Sequence, residues 1–104
     1  MLEPASMPEL DPAIHQPTRL RLLMLLAGVE SADFTFLLRT LGVTKGNLSS
    51  HMSRLEEAGY VLVKKTFDGK IPNTSYRLTP QGRKSLDRYW ALLDEIRSGG
   101  MNRE

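Results

Sequence analysis

The stretch TKGNLSSHMSRLEEAGYV, Thr44 to Val61, opens with Gly46, Asn47, Ser49, Ser50 and Ser53, which are neutral or poor helix formers. Within it Leu48, Met52 and Leu55 recur at i, i+4 and i+7, the spacing of a buried helical stripe. Thr44 suits the N-cap and Gly59 the left-handed position beyond the last turn. On that wheel Lys45, Ser49, Ser50, Ser53 and Arg54 face outward. Small polar side chains on a face that packing does not need let another surface approach, and they offer it hydrogen bonds.

Upstream, FLLRTL reads as a short helix capped by Thr35 and stopped by Gly42, with Val43 in the turn to the next helix. Residues 29–34 form a connector with a brief extended piece at Ala32 to Phe34. RLRLLMLLAG places Leu20, Leu23, Met24 and Ala27 on one stripe, and Gly28 ends it. Pro17 restarts a helix after a short one capped by Asp11 with Pro12 at its first position. Residues 1–10, with Pro4 and Pro8, read as a flexible arm.

Downstream, YVLVKKTF and YRLT read as two strands of a hairpin around DGKIPNTS. Pro72 cannot donate to a ladder, so an irregular tip is expected, with regular pairing only near the base. Thr79 and Pro80 open a last helix that runs to about Arg97, and residues 98–104 follow as a disordered tail.

The 104 residues, 40% hydrophobic, suit one domain, expected over 11–97. There is no apolar run of roughly 18 residues, and MLEPASMPEL lacks the basic and apolar regions of a signal peptide, so a cytoplasmic location is expected. The absence of cysteine removes disulfides and thiolate chemistry. Net charge is only +2, but residues 39–84 carry nine bases against three acids, while residues 1–16 carry three acids and no Lys or Arg. Charge so divided suits an anionic partner or a solvated basic face.

LGVTKGNLSSHMSRLEEAGYV and YRLTPQGR resemble the turn, recognition helix, wing entry and wing exit of winged helix-turn-helix regulators related to the MarR and ArsR groups. The resemblance covers roughly Asp11 to Ile96. It implies an α+β, mainly α fold: a winged helix-turn-helix with a two- to three-stranded β-wing and a C-terminal dimerisation helix. It further implies a sequence-specific transcriptional regulator, a homodimeric repressor, whose recognition helix (about 44–58) enters the major groove of double-stranded DNA. The wing (about 60–79) would lie on adjacent backbone or the minor groove. The contacts so implied are Thr44, Lys45, Gly46, Asn47, Ser49, Ser50, Ser53 and Arg54 on the helix and Lys65, Lys70, Thr74 and Arg77 on the wing. Asn47 and the serines could read bases or touch phosphates, Lys45 and Arg54 suit phosphates, and Gly46 permits close backbone approach.

The last helix carries Leu86, Tyr89, Trp90, Leu93 and Ile96 at helical spacing, a stripe expected to overhang the domain and pair with a second copy, with the region of Ile14 as companion surface. The alternative is that this helix folds back on its own core. His15 and His51 stand alone and without cysteine, so no metal and no cofactor are expected, and His51 reads as a helix-surface residue or a phosphate contact. No phosphate loop, carboxylate pair or nucleophile triad suggests an enzyme. The competing function is a winged-helix protein-interaction module, which would favour apolar residues on the helix face.

Overall fold

A computed structural model describes residues 8–99. Four helices and three strands follow in the order α1 Pro17–Ala27, β1 Ala32–Asp33, α2 Phe34–Leu41, α3 Lys45–Glu57, β2 Val61–Asp68, β3 Ile71–Leu78 and α4 Pro80–Arg97. The strands form one antiparallel sheet in the order β1-β3-β2. This is the mainly helical winged arrangement that the resemblance implies.

The core is a single cluster to which every helix contributes: Leu22, Leu23 and Leu26 from α1, Leu37 and Leu41 from α2, Leu48, Met52 and Leu55 from α3, and Leu86 and Tyr89 from α4. Val61 and Tyr76 add the base of the sheet. In α1 the buried stripe is thus Leu22, Leu23 and Leu26, while Met24, expected inside, is 51% exposed. Seven of the nine residues in RLRLLMLLA are apolar, so periodicity alone cannot select a face, and packing against the other elements does so.

Two boundaries differ from expectation. Residues after Asp11 make one turn rather than a helix, with Ile14 N and His15 N both donating to Asp11 O and Ala13 N to Asp11 Oδ1. Pro17 forces Gln16 into extended geometry, which ends that turn and makes Gln16 the N-cap of α1. Helix α2 is capped by Asp33, whose Oδ1 accepts from Phe36 N at 2.8 Å, and Thr35 lies inside the first turn. Gly28 closes α1 as expected, in a right-handed conformation.

The hairpin is regular to its end. Pairing runs unbroken from Val61↔Leu78 to Asp68↔Ile71, and Gly69 with Lys70 forms a two-residue turn. Gly69 has φ +68°, in the left-handed region that a tight hairpin turn demands of its first central residue. Pro72 is accommodated because β1 covers β3 only at Ser75 and Tyr76, which leaves one side of β3 open at Pro72.

Ile14, Leu86 and Tyr89, expected in a subunit interface, lie in the core of the chain itself, at 0%, 4% and 4% exposure. His15 Nδ1 and the Tyr89 hydroxyl, 2.8 Å apart, tie the turn to α4. Leu93 is half-buried against the core, and Trp90 and Ile96 are exposed. Leu10, expected within a flexible arm, is also half-buried there. Residues 1–7 of the expected arm and residues 100–104 of the expected tail lie outside the described residues.

The start of α4 is packed hard against the junction of α3 and β2. Thr79 N donates to Tyr60 O at 3.0 Å and Thr79 Oγ1 to Gly59 O at 2.7 Å. Gly82 sits so close that a Cβ there would lie 2.3 Å from Tyr60 O and 2.8 Å from Leu78 Cδ1.

Candidate nucleic-acid interface

The turn between α2 and α3 is built by Gly42, left-handed at φ +68°, whose N–H returns to Leu38 O at 2.9 Å. Its geometry is one that a residue with a Cβ adopts only at a cost. Val43 tucks against the core, and Thr44 then caps α3, its Oγ1 accepting from Asn47 N at 3.1 Å. Leu48, Met52 and Leu55 are at most 1% exposed and pin the helix by one side.

That anchoring turns the whole polar set outward. Lys45, Gly46, Asn47, Ser49, Ser50, Ser53 and Arg54 are all exposed. The side chains of Lys45, Asn47, Ser49, Ser50 and Ser53 make no hydrogen bond or ion pair with any other described residue. Their donors and acceptors are therefore free for a ligand, in a first turn that carries no acid. The free N–H groups and dipole at a helix start add to the attraction for an anion.

The wing residues divide between two faces. Lys65 and Thr74 are direct cross-strand partners, so their side chains share one face, and Phe67 paired with Pro72 continues it toward the tip. Arg77 pairs with Leu62 and Lys64 with Ser75, on the opposite face. The four residues expected to act together are thus not one surface: Lys65 and Thr74 form one group, Arg77 faces away, and Lys70 stands in the turn.

Sequence reading passes over Arg19. Its Nε donates to Ala13 O at 2.6 Å, one terminal nitrogen to Pro12 O at 3.1 Å, and the other lies 3.1 Å from Nδ1 of His51 on α3. A guanidinium can only donate, so Nδ1 of His51 holds a lone pair and the ring proton sits on Nε2. Burial, and next the Arg19 charge, hold the His51 pKa below its usual value of 6.5. Thirty-two positions separate the two residues, and nothing local in either segment pairs them.

Among the described residues no group of three or more His, Asp or Glu side chains could hold a metal, and no helix is long and apolar enough to cross a membrane.

Residues 18–96 match the winged helix DNA-binding domain family. An uncharacterized protein of Methanocaldococcus jannaschii is 37% identical over 71 residues, which span 68% of this chain and 77% of that protein. Among solved structures, a transcriptional regulator homologue from Pyrococcus horikoshii OT3 superposes with a TM-score of 0.78 at 27% identity, covering 88% of this chain and 89% of that one. A mutant MarR of E. coli complexed with operator DNA shares the fold, with a TM-score of 0.70 at 19% identity over 88% of this chain and 64% of that one.

Proposed function

Because the chain belongs to the winged helix DNA-binding domain family, we propose that it is a sequence-specific transcriptional regulator that binds a two-fold related duplex site as a homodimer and represses by occlusion. The observation that carries this reading is the face of α3: five polar side chains, exposed and without described partners, on a helix held from behind by three buried apolar residues. B-DNA's major groove admits one such helix. The excess of bases over residues 39–84 supplies the attraction to phosphates. The MarR relative complexed with operator DNA has the same fold.

On this reading Asn47, Ser49, Ser50 and Ser53 face base edges, Thr44, Lys45 and Arg54 flank them on phosphates, and Gly46 lets the backbone come close. Lys65, Lys70 and Thr74 follow the neighbouring backbone. Arg77, on the other wing face, either takes a phosphate past the groove edge or stays solvated. Trp90 and Ile96, exposed on α4 beside half-buried Leu93, supply the apolar surface for a second copy. Two subunits joined there would present two recognition helices to successive turns of the duplex. A dimer seated on its site in this way covers the duplex beneath it and keeps other proteins off, hence repression.

The test is binding as a function of salt, on a duplex footprinted from the DNA flanking the coding region. Lys70→Ala should weaken specific and random duplex alike and lower the log-log salt slope by about 1 for each phosphate that the variant no longer neutralises. Asn47→Ala should cost about 1 to 3 kcal/mol on the specific site and leave random duplex untouched. Unchanged specific affinity in both Asn47→Ala and Ser50→Ala would remove α3 as the reading surface and favour the protein-interaction module.

A further inference from the structure

The wing ends in apolar side chains. Phe67 is 73% exposed and Ile71 69%, more than any other large apolar residue among those described, and neither belongs to the core cluster. They stand on a hairpin whose ladder persists to Asp68↔Ile71, so the tip is a paired ribbon and not a loose loop. Phe67 faces Pro72 directly across the ladder, on the same side as Lys65 and Thr74. Ile71 faces Asp68 on the other side.

Core packing gives no account of an aromatic ring at this position, and a projecting apolar ribbon end is a liability unless something covers it. Charge selects the cover. The two strands and turn carry Lys64, Lys65, Lys70 and Arg77 against Asp68 as their sole acid, a net of +3, with Lys65 on the ring's own face and Lys70 in the turn beside it. A second wing would bring the same charge and be repelled, whereas a groove bounded by phosphates attracts it on both sides.

Resting on the DNA-binding reading above, we propose that the wing tip is an apolar wedge: Phe67, backed by Pro72, enters the minor groove beside the major-groove site and partly unstacks one base step. Lys65 and Lys70 hold the flanking phosphates. Apolar side chains inserted this way kink a duplex, and the cost is lowest at pyrimidine–purine steps. The wedge therefore contributes specificity at a position where no hydrogen bond reads a base.

The experiment uses a duplex enriched from a random-sequence pool by the unmodified protein, with a fluorescent adenine analogue placed in turn at each step flanking the protected bases. The unmodified protein should raise analogue fluorescence at one flanking step per subunit, and circularly permuted fragments should migrate as bent DNA. Phe67→Ala should abolish both signals and weaken specific binding roughly tenfold, the scale of one base–aromatic stack, with the salt slope unchanged because no counterion is involved. Phe67→Leu, which keeps an apolar wedge, should retain the bend. Thermal unfolding of both variants should match the unmodified chain, since the ring lies outside the core.

A Phe67→Ala protein that still binds with full affinity, bend and fluorescence overturns the wedge while leaving the DNA-binding reading intact. A Phe67→Ala protein whose sedimentation changes while its DNA signals do not overturns it in favour of a contact between copies. Failure of the unmodified protein to enrich any duplex overturns the DNA-binding reading itself, and the wedge with it.

Discussion

Arg19 on α1 and His51 on α3 are joined by a 3.1 Å hydrogen bond in which the imidazole Nδ1 can only accept. The same guanidinium holds the carbonyls of Ala13 and Pro12, so one side chain links the N-terminal turn, α1 and α3. Because His51 is held neutral, its Nε2–H is a fixed donor on the flank of α3, one turn beyond Asn47.

This pair makes stability depend on pH in a stated direction. The folded-state pKa of His51 lies below its unfolded value of 6.5, so the unfolded chain binds the proton more readily. The contribution is full above 6.5 and is lost as pH falls through the interval between the two values. Arg19 is the charge that opposes protonation of the ring, and Arg54 acts in turn on Arg19. Melting temperatures from about pH 5 to about pH 7 should fall on acidification more steeply for the unmodified chain than for His51→Gln. Parallel curves would refute the arrangement.

Two glycine substitutions should act in opposite directions. A Cβ on Gly82 would meet Tyr60 O at 2.3 Å, backbone that cannot step aside, so Gly82→Ala should destabilise by about 1 to 3 kcal/mol. A Cβ on Gly46 meets nothing within 4 Å, so Gly46→Ala should stabilise the helix by roughly 0.5 to 1 kcal/mol. If DNA backbone approaches there, the stabilised Gly46→Ala protein should bind its specific duplex more weakly. Denaturant titration and duplex binding on the same samples read both effects.

Subunit association should depend on Trp90 and Ile96 and not on Ile14, Leu86 or Tyr89, which the chain buries in its own core. The unmodified protein should sediment as a dimer at tens of micromolar, and the double variant Trp90→Ala with Ile96→Ala as a folded monomer. A monomeric unmodified chain at that concentration would contradict the dimer.

The Tyr60 hydroxyl donates to Asp11 Oδ2, fastening the N-terminal turn beside the start of the wing. Burial and then this hydrogen bond raise the Tyr60 pKa above 10.0. Its stabilisation is therefore present below pH 10.0 and lost as the phenol ionises above it. Tyr60→Phe should cost about 1.5 to 3 kcal/mol at neutral pH, the range for hydrogen bonds to charged groups. It should also flatten the alkaline limb of a stability curve, which equilibrium unfolding at increasing pH would measure.

What could be read from residues alone follows from how local each determinant is. Helix α3 was legible because Leu48, Met52 and Leu55 stand out against polar neighbours, and Thr79 with Pro80 marks the start of α4 at the observed residue. In α1 the apolar residues are too many for a stripe to emerge. Asp33 and Thr35 are both good cap residues, and only the bond to Phe36 N distinguishes them. The grouping of Lys65 with Thr74 and apart from Arg77 is a matter of strand register, which depends on pairing across the hairpin. Arg19 meets His51, and Ile14 and Tyr89 are covered, only once distant segments have packed. The unpartnered polar face of α3 was foreseeable from spacing, whereas the apolar end of the wing needed the ladder to show that it projects.

The close approach of Gly82 to Tyr60 has a mechanical meaning. With no side chain between them, and with Thr79 bonded across the same junction, the root of α4 cannot pivot against the end of α3 or the base of the wing. Helix α3, the wing and α4 are thereby joined at one root. In a pair of subunits gripping one another through α4, an incoming signal would act like a hand on the joint of a pair of calipers, changing the span between two jaws whose shape stays constant.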